Sequence, residues 1–170
     1  MINTRDHVLR DPAHLRLILG SLLLAYLMAL LPWGGLLLNL QPDWLLLVLL
    51  HWWLREPWRV GQGAAFAGGL LMDLAQTGVL GVHALAYSVV AWATLRLRVR
   101  LLSFSPLGQV LQILPLLLLA RLLATGAALM SGGGIPSWTY FLGGLTDVLA
   151  WIPITLLLHH FDLTRSNPRS

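Results

Sequence analysis

Long leucine-rich runs separated by short polar breaks dominate this chain, and six apolar stretches stand out, at about 15–31, 42–54, 60–78, 79–95, 106–130 and 138–159. The runs are solid and do not alternate apolar with polar. That pattern predicts helices and excludes a transmembrane β-barrel, whose strands would read as alternating segments of about 10 residues. A helix crossing the hydrocarbon core needs about 20 apolar residues, so each stretch is a candidate span. The first follows Arg5, Arg10 and Arg16 and resembles a signal sequence. No small-residue cleavage site follows it, and Pro32-Trp33 comes next, so it reads as an uncleaved first span. The second is short, 13 residues, or about 20 Å of helix against a core of about 30 Å. Pro42 suits its first helical position, Asp43 suits the positive end of its dipole, and Pro57 ends it. The uncharged piece from Gly34 to Leu40 is expected to dip into the membrane or pack over the helices. A local thinning of the bilayer around a short span is the alternative.

Composition agrees with this pattern. Of 170 residues 57% are hydrophobic and 11% charged, with mean hydropathy +0.74, whereas a soluble domain carries about 25% charged residues. The expected architecture is all-α, a single integral membrane domain over residues 1–170 built as a six-transmembrane-helix bundle in contact with lipid, with little room for an extramembrane domain. The net charge is +4 and the pI about 10.7, yet every basic residue is arginine. The arginines form no patch with interleaved aromatics, so no nucleic-acid partner is implied. They sort by loop instead. Arginine is present before the first span, between the second and third (Arg55, Arg59), between the fourth and fifth (Arg96, Arg98, Arg100) and after the sixth (Arg165, Arg169); the other three connections have none. By the positive-inside rule both termini are cytoplasmic. Cysteine is absent, which removes disulfides and thiolate metal sites.

Three ionisable residues fall at membrane depth: Asp73, Arg121 and Asp147. Each costs at least about 2.5–3.5 kcal/mol at a helix centre if unpaired. Arg121 and Asp147 lie at similar depth on antiparallel neighbours, near the midplane, and are the preferred pair. Asp73 lies nearer the outer side. It could reach Arg121 if the third span adjoins the fifth, or cap the start of the fourth helix. The trio reads either as a substrate or proton site or as a pair that sets helix register. Gly61, Ala65, Gly69 and Asp73 recur every four residues, a small-residue face that lets another backbone approach. Gly143 and Asp147 repeat the Gly-then-Asp spacing, within the similar strings Phe66-Ala-Gly-Gly-Leu70 and Phe141-Leu-Gly-Gly-Leu145.

The histidines do not make a metal set. His51 and His83 stand singly, the adjacent His159 and His160 point to different helix faces, and all read as solvated or snorkelling side chains. Trp44, Trp52, Trp53, Trp58 and Trp138 fall near span ends, as an aromatic belt would, although Trp52 and Trp53 could face a partner helix. No catalytic motif is present, so neither an enzyme nor a cofactor is expected.

The string from Pro42-Asp-Trp44 through His51-Trp52 is similar to a stretch of the rod shape-determining protein MreD family, with His51 where the family has tyrosine. Pro57-Trp-Arg-Val60, then Gly69-Leu-Leu-Met-Asp-Leu74, then Gly78-Val-Leu-Gly-Val-His-Ala-Leu85 resemble the motifs that follow it, so that Pro57, Arg59, Gly78 and Gly81 take family-like positions. Trp151-Ile-Pro153 is also similar. Arg121 and Asp147 match no family motif. The resemblance implies a non-enzymatic inner-membrane scaffold of the machinery that builds lateral cell wall in rod-shaped bacteria. It implies MreC as partner, MreB filaments and the cell-wall polymerase and transpeptidase nearby, and a fold like that of the substrate-binding subunits of energy-coupling-factor transporters. The alternative function is a small-molecule transporter subunit of that kind. A reporter fused to the C-terminus is expected to read as cytoplasmic; a periplasmic signal overturns the six-span count.

Overall fold

The computed structural model describes residues 15–32, 34–35, 40–76, 79–104, 106–132 and 138–165. These form six helices: α1 Leu15–Ala29, α2 Trp44–Arg55, α3 Gln62–Ala75, α4 Val82–Leu102, α5 Pro106–Met130 and α6 Trp138–Arg165. Among the described residues there is no strand. Within α5 and α6, Gly108–Met130 and Trp138–Leu158 are long and apolar enough to cross a membrane. The helices α1 and α2 are apolar but shorter, at 15 and 12 residues.

The centre of the bundle is α2. It touches α1, α3, α4 and α6, and every residue from Leu45 to Leu54 is buried. A helix that is hydrophobic all round belongs inside, and this one has no outward face at all. Trp52 and Trp53 therefore do not sit in a belt: both are 0% exposed, and the Trp52 indole Nε1–H donates to Ser21 Oγ on α1 at 2.9 Å. His51 is buried too, edge-on to Trp52 and tilted against Trp151, which corrects the expectation of a solvated side chain. Trp58 and Trp138, by contrast, are almost fully exposed. Around this core the outer faces are apolar: Leu19 and Leu23 of α1, Leu71 and Leu74 of α3, Leu111 and Leu122 of α5 and Leu149 of α6 all point outward. A water-soluble protein of this size rarely leaves so continuous an apolar exterior.

Several ends differ from those read in the sequence. Asp43 occupies the N-cap of α2, accepting from the Leu46 amide at 3.1 Å, so the helix starts at Trp44 and Pro42 precedes the cap. The start of α4 is Val82, not 79, because Gly81 takes a left-handed φ of +102° that interrupts the helix before it. At its other end α4 runs to Leu102, so Arg96, Arg98 and Arg100 ride its last turns. Arg98 Nε–H donates to the Leu54 carbonyl at 2.8 Å, placing a cation at the negative end of α2. The C-terminal ends of α2 and α4 are thereby held together.

The small residues of α3 face inward as one stripe, with Ala65, Gly68, Gly69, Met72 and Asp73 buried. Gly69 is the tightest point: a β-carbon there would lie 2.5 Å from the Ala84 Cα and the His83 carbonyl oxygen. Gly68 is less strict, since its β-carbon would meet a Leu49 methyl at 3.0 Å. Gly61 caps the start of α3, and Ala65 is 0% exposed one turn in. Gly69→Val is expected to lower stability by about 1–3 kcal/mol or more, since backbone must move. Gly63→Ala, where a β-carbon meets nothing within 4 Å, is expected to be neutral or to raise stability by about 0.5–1 kcal/mol. Thermal unfolding of the detergent-solubilised protein measures both; equal effects would dissociate the α3–α4 packing from Gly69.

Candidate functional site

The buried polar groups gather around the start of α2. Arg121, from the middle of α5, donates from Nε to Asp147 Oδ2 of α6 at 2.9 Å. Nη1 donates to the Tyr140 carbonyl at 2.7 Å and Nη2 to the Gln41 carbonyl at 3.3 Å, while the guanidinium lies 4.9 Å from the Tyr140 ring centroid. Arg121 is 7% exposed and Asp147 1%. Space for the guanidinium comes from Gly143, where a β-carbon would sit 2.6 Å from both Nη atoms.

The second oxygen of Asp147, Oδ1, accepts the Asp43 backbone N–H at 2.7 Å. This ties the first amide before α2 to a carboxylate on α6. Asp43 in turn accepts on Oδ1 from the Tyr87 hydroxyl of α4 at 2.5 Å as well as from the Leu46 amide. The Thr146 hydroxyl lies 2.6 Å from the Leu40 carbonyl, and Gln41 Nε2 donates to the Ala29 carbonyl at 3.2 Å. The segment of chain entering α2 is therefore pinned from α1, α4, α5 and α6 together. Both carboxylates lie where the helix N-terminus presents partial positive charge.

Asp73 does not reach Arg121. It closes the start of α4 instead, accepting from the backbone amides of Gly81 (2.8 Å), His83 (2.7 Å) and Ala84 (3.2 Å). His83 Nδ1 is 2.9 Å from Asp73 Oδ1, so this histidine is a partner of a buried acid and not a solvated side chain. Three otherwise orphaned donors of a helix start are thus satisfied by one carboxylate.

Above α2 lies a cavity of about 590 Å³ lined by all six helices. Its polar lining comprises Gln41, Asp43, Gln76, His83, Arg121, Tyr140 and Asp147, with Tyr87 and Thr125 alongside; Leu46, Met72, Leu117 and a row of alanines make the apolar wall. Leu30, Leu31 and Pro32 form an exposed rim.

Of the remaining positions read as family-like, Pro42 lines the cavity and Trp44 opens α2 with its indole nitrogen buried and unbonded. Trp52 lies in the core, and Gly81 precedes α4. Pro57 and Arg59 lie in the turn beyond α2, where Arg59 stands 3.9 Å from Glu56, at the opposite end of α2 from the cavity. Gly78 falls outside the described residues. Among the described residues no group of acidic or histidine side chains could hold a metal ion. Sequence reasoning missed Tyr87 and Tyr140. Tyr87 had a usable signal, since it follows His83 by one helical turn and the two rings stack edge to face at 6.0 Å; Tyr140 contributes mainly its carbonyl and ring face, which no pattern announces.

The family model of rod shape-determining protein MreD matches residues 13–161. The rod shape-determining protein MreD of Haemophilus influenzae is 32% identical over 141 residues, covering 83% of this chain and 87% of its own. No solved structure matches.

Removing one partner of a buried ion pair strands the other charge, at about 3–5 kcal/mol. Arg121→Met is expected to lose that much. Arg121→Met with Asp147→Asn is expected to lose distinctly less, because the asparagine carbonyl oxygen keeps an acceptor for the Asp43 amide without a charge to strand. Thermal unfolding of the double variant and both single ones in one detergent measures the coupling; a double variant as unstable as the sum of the single ones would contradict a direct pair.

Proposed function

The chain belongs to the rod shape-determining protein MreD family, and from that premise we propose that it is a non-enzymatic membrane scaffold of the cell-wall elongation machinery. In this reading it binds MreC, with MreB and the cell-wall polymerase and transpeptidase nearby, and so couples the cytoskeleton to peptidoglycan synthesis. The observation that carries the proposal is the family match across residues 13–161. A buried polar network spent on holding helices together, with no nucleophile–base pair in it, suits a scaffold.

The proposal includes the topology. All six helices cross or enter the inner membrane as a single domain, with both termini cytoplasmic. Arg55, Arg98 and Arg100 lie toward one end of the bundle and the cavity toward the other, as the positive-inside rule requires if the cavity opens to the periplasm. The short α2 then poses no difficulty. Its first amide is level with Asp147, nine residues into α6, which is about 14 Å below the start of that helix. Thus α2 needs to cover only the inner part of the membrane, with the cavity filling the outer part. Six helices around an outward cavity also suit the arrangement of energy-coupling-factor substrate-binding subunits. The cavity favours a second reading, a substrate-binding subunit of a small-molecule transporter.

Tagged protein purified in mild detergent from native membranes is expected to bring MreC with it, and depletion to round the cells. Rod-shaped growth after clean deletion would sink the scaffold reading.

A further inference from the structure

The cavity above α2 has its charges unevenly matched, and the mismatch defines an occupant. Its lining holds two carboxylates, Asp43 and Asp147, and one guanidinium, Arg121. Asp147 uses both oxygens, one on Arg121 and one on the Asp43 amide. Asp43 uses only Oδ1; its Oδ2 takes no hydrogen bond among the described residues and is not sealed within the protein. His83 turns its Nδ1 to Asp73 Oδ1 at 2.9 Å and makes no bond to Asp43 among the described residues.

Most of the groups that would attract an anion are already engaged within the protein. At the α2 N-terminus the Asp43, Trp44 and Leu46 amides bond to Asp147, the Pro42 carbonyl and the Asp43 side chain. At the α4 N-terminus Asp73 takes three amides. Arg121 uses one N–H of each of its three nitrogens, on Asp147, Tyr140 and Gln41, and its charge is matched by Asp147 at 2.9 Å. The one charged group left with an unengaged acceptor is Asp43, at Oδ2; the neutral Gln76 amide and the Thr125 and Tyr140 hydroxyls, which have no hydrogen-bond partner among the described residues, line the same space. A volume of about 590 Å³ lies in the range of small-molecule sites, about 300–1,000 Å³.

We propose that this cavity binds an organic ammonium ion, its N–H donors on Asp43 Oδ2 and its carbon body against Leu46, Met72 and Leu117. The ammonium is either a free amine or the ethanolamine headgroup of a lipid entering past Leu30 and Leu31. Charge-assisted hydrogen bonds are about twice as strong as neutral ones. The inference rests on the cavity and not on the rod-shape reading, so either can fail alone.

The test is thermal unfolding and calorimetric titration of the full chain in neutral detergent, with butylammonium and ethanolammonium chloride against sodium chloride and sodium butyrate at equal ionic strength. Both ammonium ions are expected to raise the unfolding temperature, and butyrate is not. Asp43→Asn keeps the helix cap and is expected to weaken ammonium binding about tenfold or more. Ala128→Leu narrows the cavity without touching a charge and is expected to weaken it as well, which keeps the test sound should Asp43→Asn fold poorly. Nanodiscs of phosphatidylethanolamine against phosphatidylglycerol separate the sources: stabilisation by the former together with no effect of soluble amines identifies a lipid headgroup, and an effect of soluble amines in both identifies a free amine. Stabilisation by butyrate alone, by no probe and neither lipid, or by ammonium ions equally in wild type and both variants overturns the proposal.

Discussion

One buried ion pair organises this protein. Arg121 and Asp147 are nearly inaccessible, and neither could stand alone at that depth without several kcal/mol of desolvation. The pair is tolerated because its other valences are filled. The guanidinium is used from three nitrogens and lies against the Tyr140 ring, and the carboxylate is used from both oxygens. Breaking any one of these bonds leaves a polar group in an apolar interior, so α5, α6 and the chain entering α2 have to move together or not at all.

The same device recurs at Asp73. Each buried aspartate follows a glycine by four residues on its own helix, and each closes the start of another helix: Asp73 that of α4, Asp147 that of α2. The glycine supplies the room in both cases, at Gly69 for the α4 backbone and at Gly143 for the Arg121 guanidinium. The likeness of Phe66-Ala-Gly-Gly-Leu70 to Phe141-Leu-Gly-Gly-Leu145 thus has a physical counterpart: small residue, close approach, then an acid for the orphaned amides of a helix start. Because most amides of both helix starts are bonded inside the protein, α2 can begin below the ends of its neighbours and leave a cavity over it.

A family role in rod shape fits a molecule of this build. The polar groups are invested in holding six helices in register, the outer faces are apolar, and the described connections are short. The carboxylate of Asp43, with one oxygen unengaged, leaves one chemically distinct place within this body.

The helical architecture is legible in the sequence because leucine runs without charge admit nothing else at this length, and Pro106 and the break after Met130 are strong local signals for where α5 begins and ends. The arginine distribution, a property of composition by segment, likewise needs no contacts to be seen. The pairing of Arg121 with Asp147 could be anticipated from depth, since two charges at one level on antiparallel neighbours have few other options. The choice of Asp73 for the α4 start over Arg121 could not, because it depends on which helices adjoin, and Gly69 decides that by letting α4 close on α3. For the same reason the sequence leaves Trp52 and Trp53 open between a belt and a helix contact and reads His51 as solvated, where the structure buries all three: a short apolar helix reads alike whether lipid or protein surrounds it. Only the tertiary structure, by enclosing α2 on every side, distinguishes the two, and only it brings Tyr87, Tyr140 and Gln41 from distant segments to the same charges.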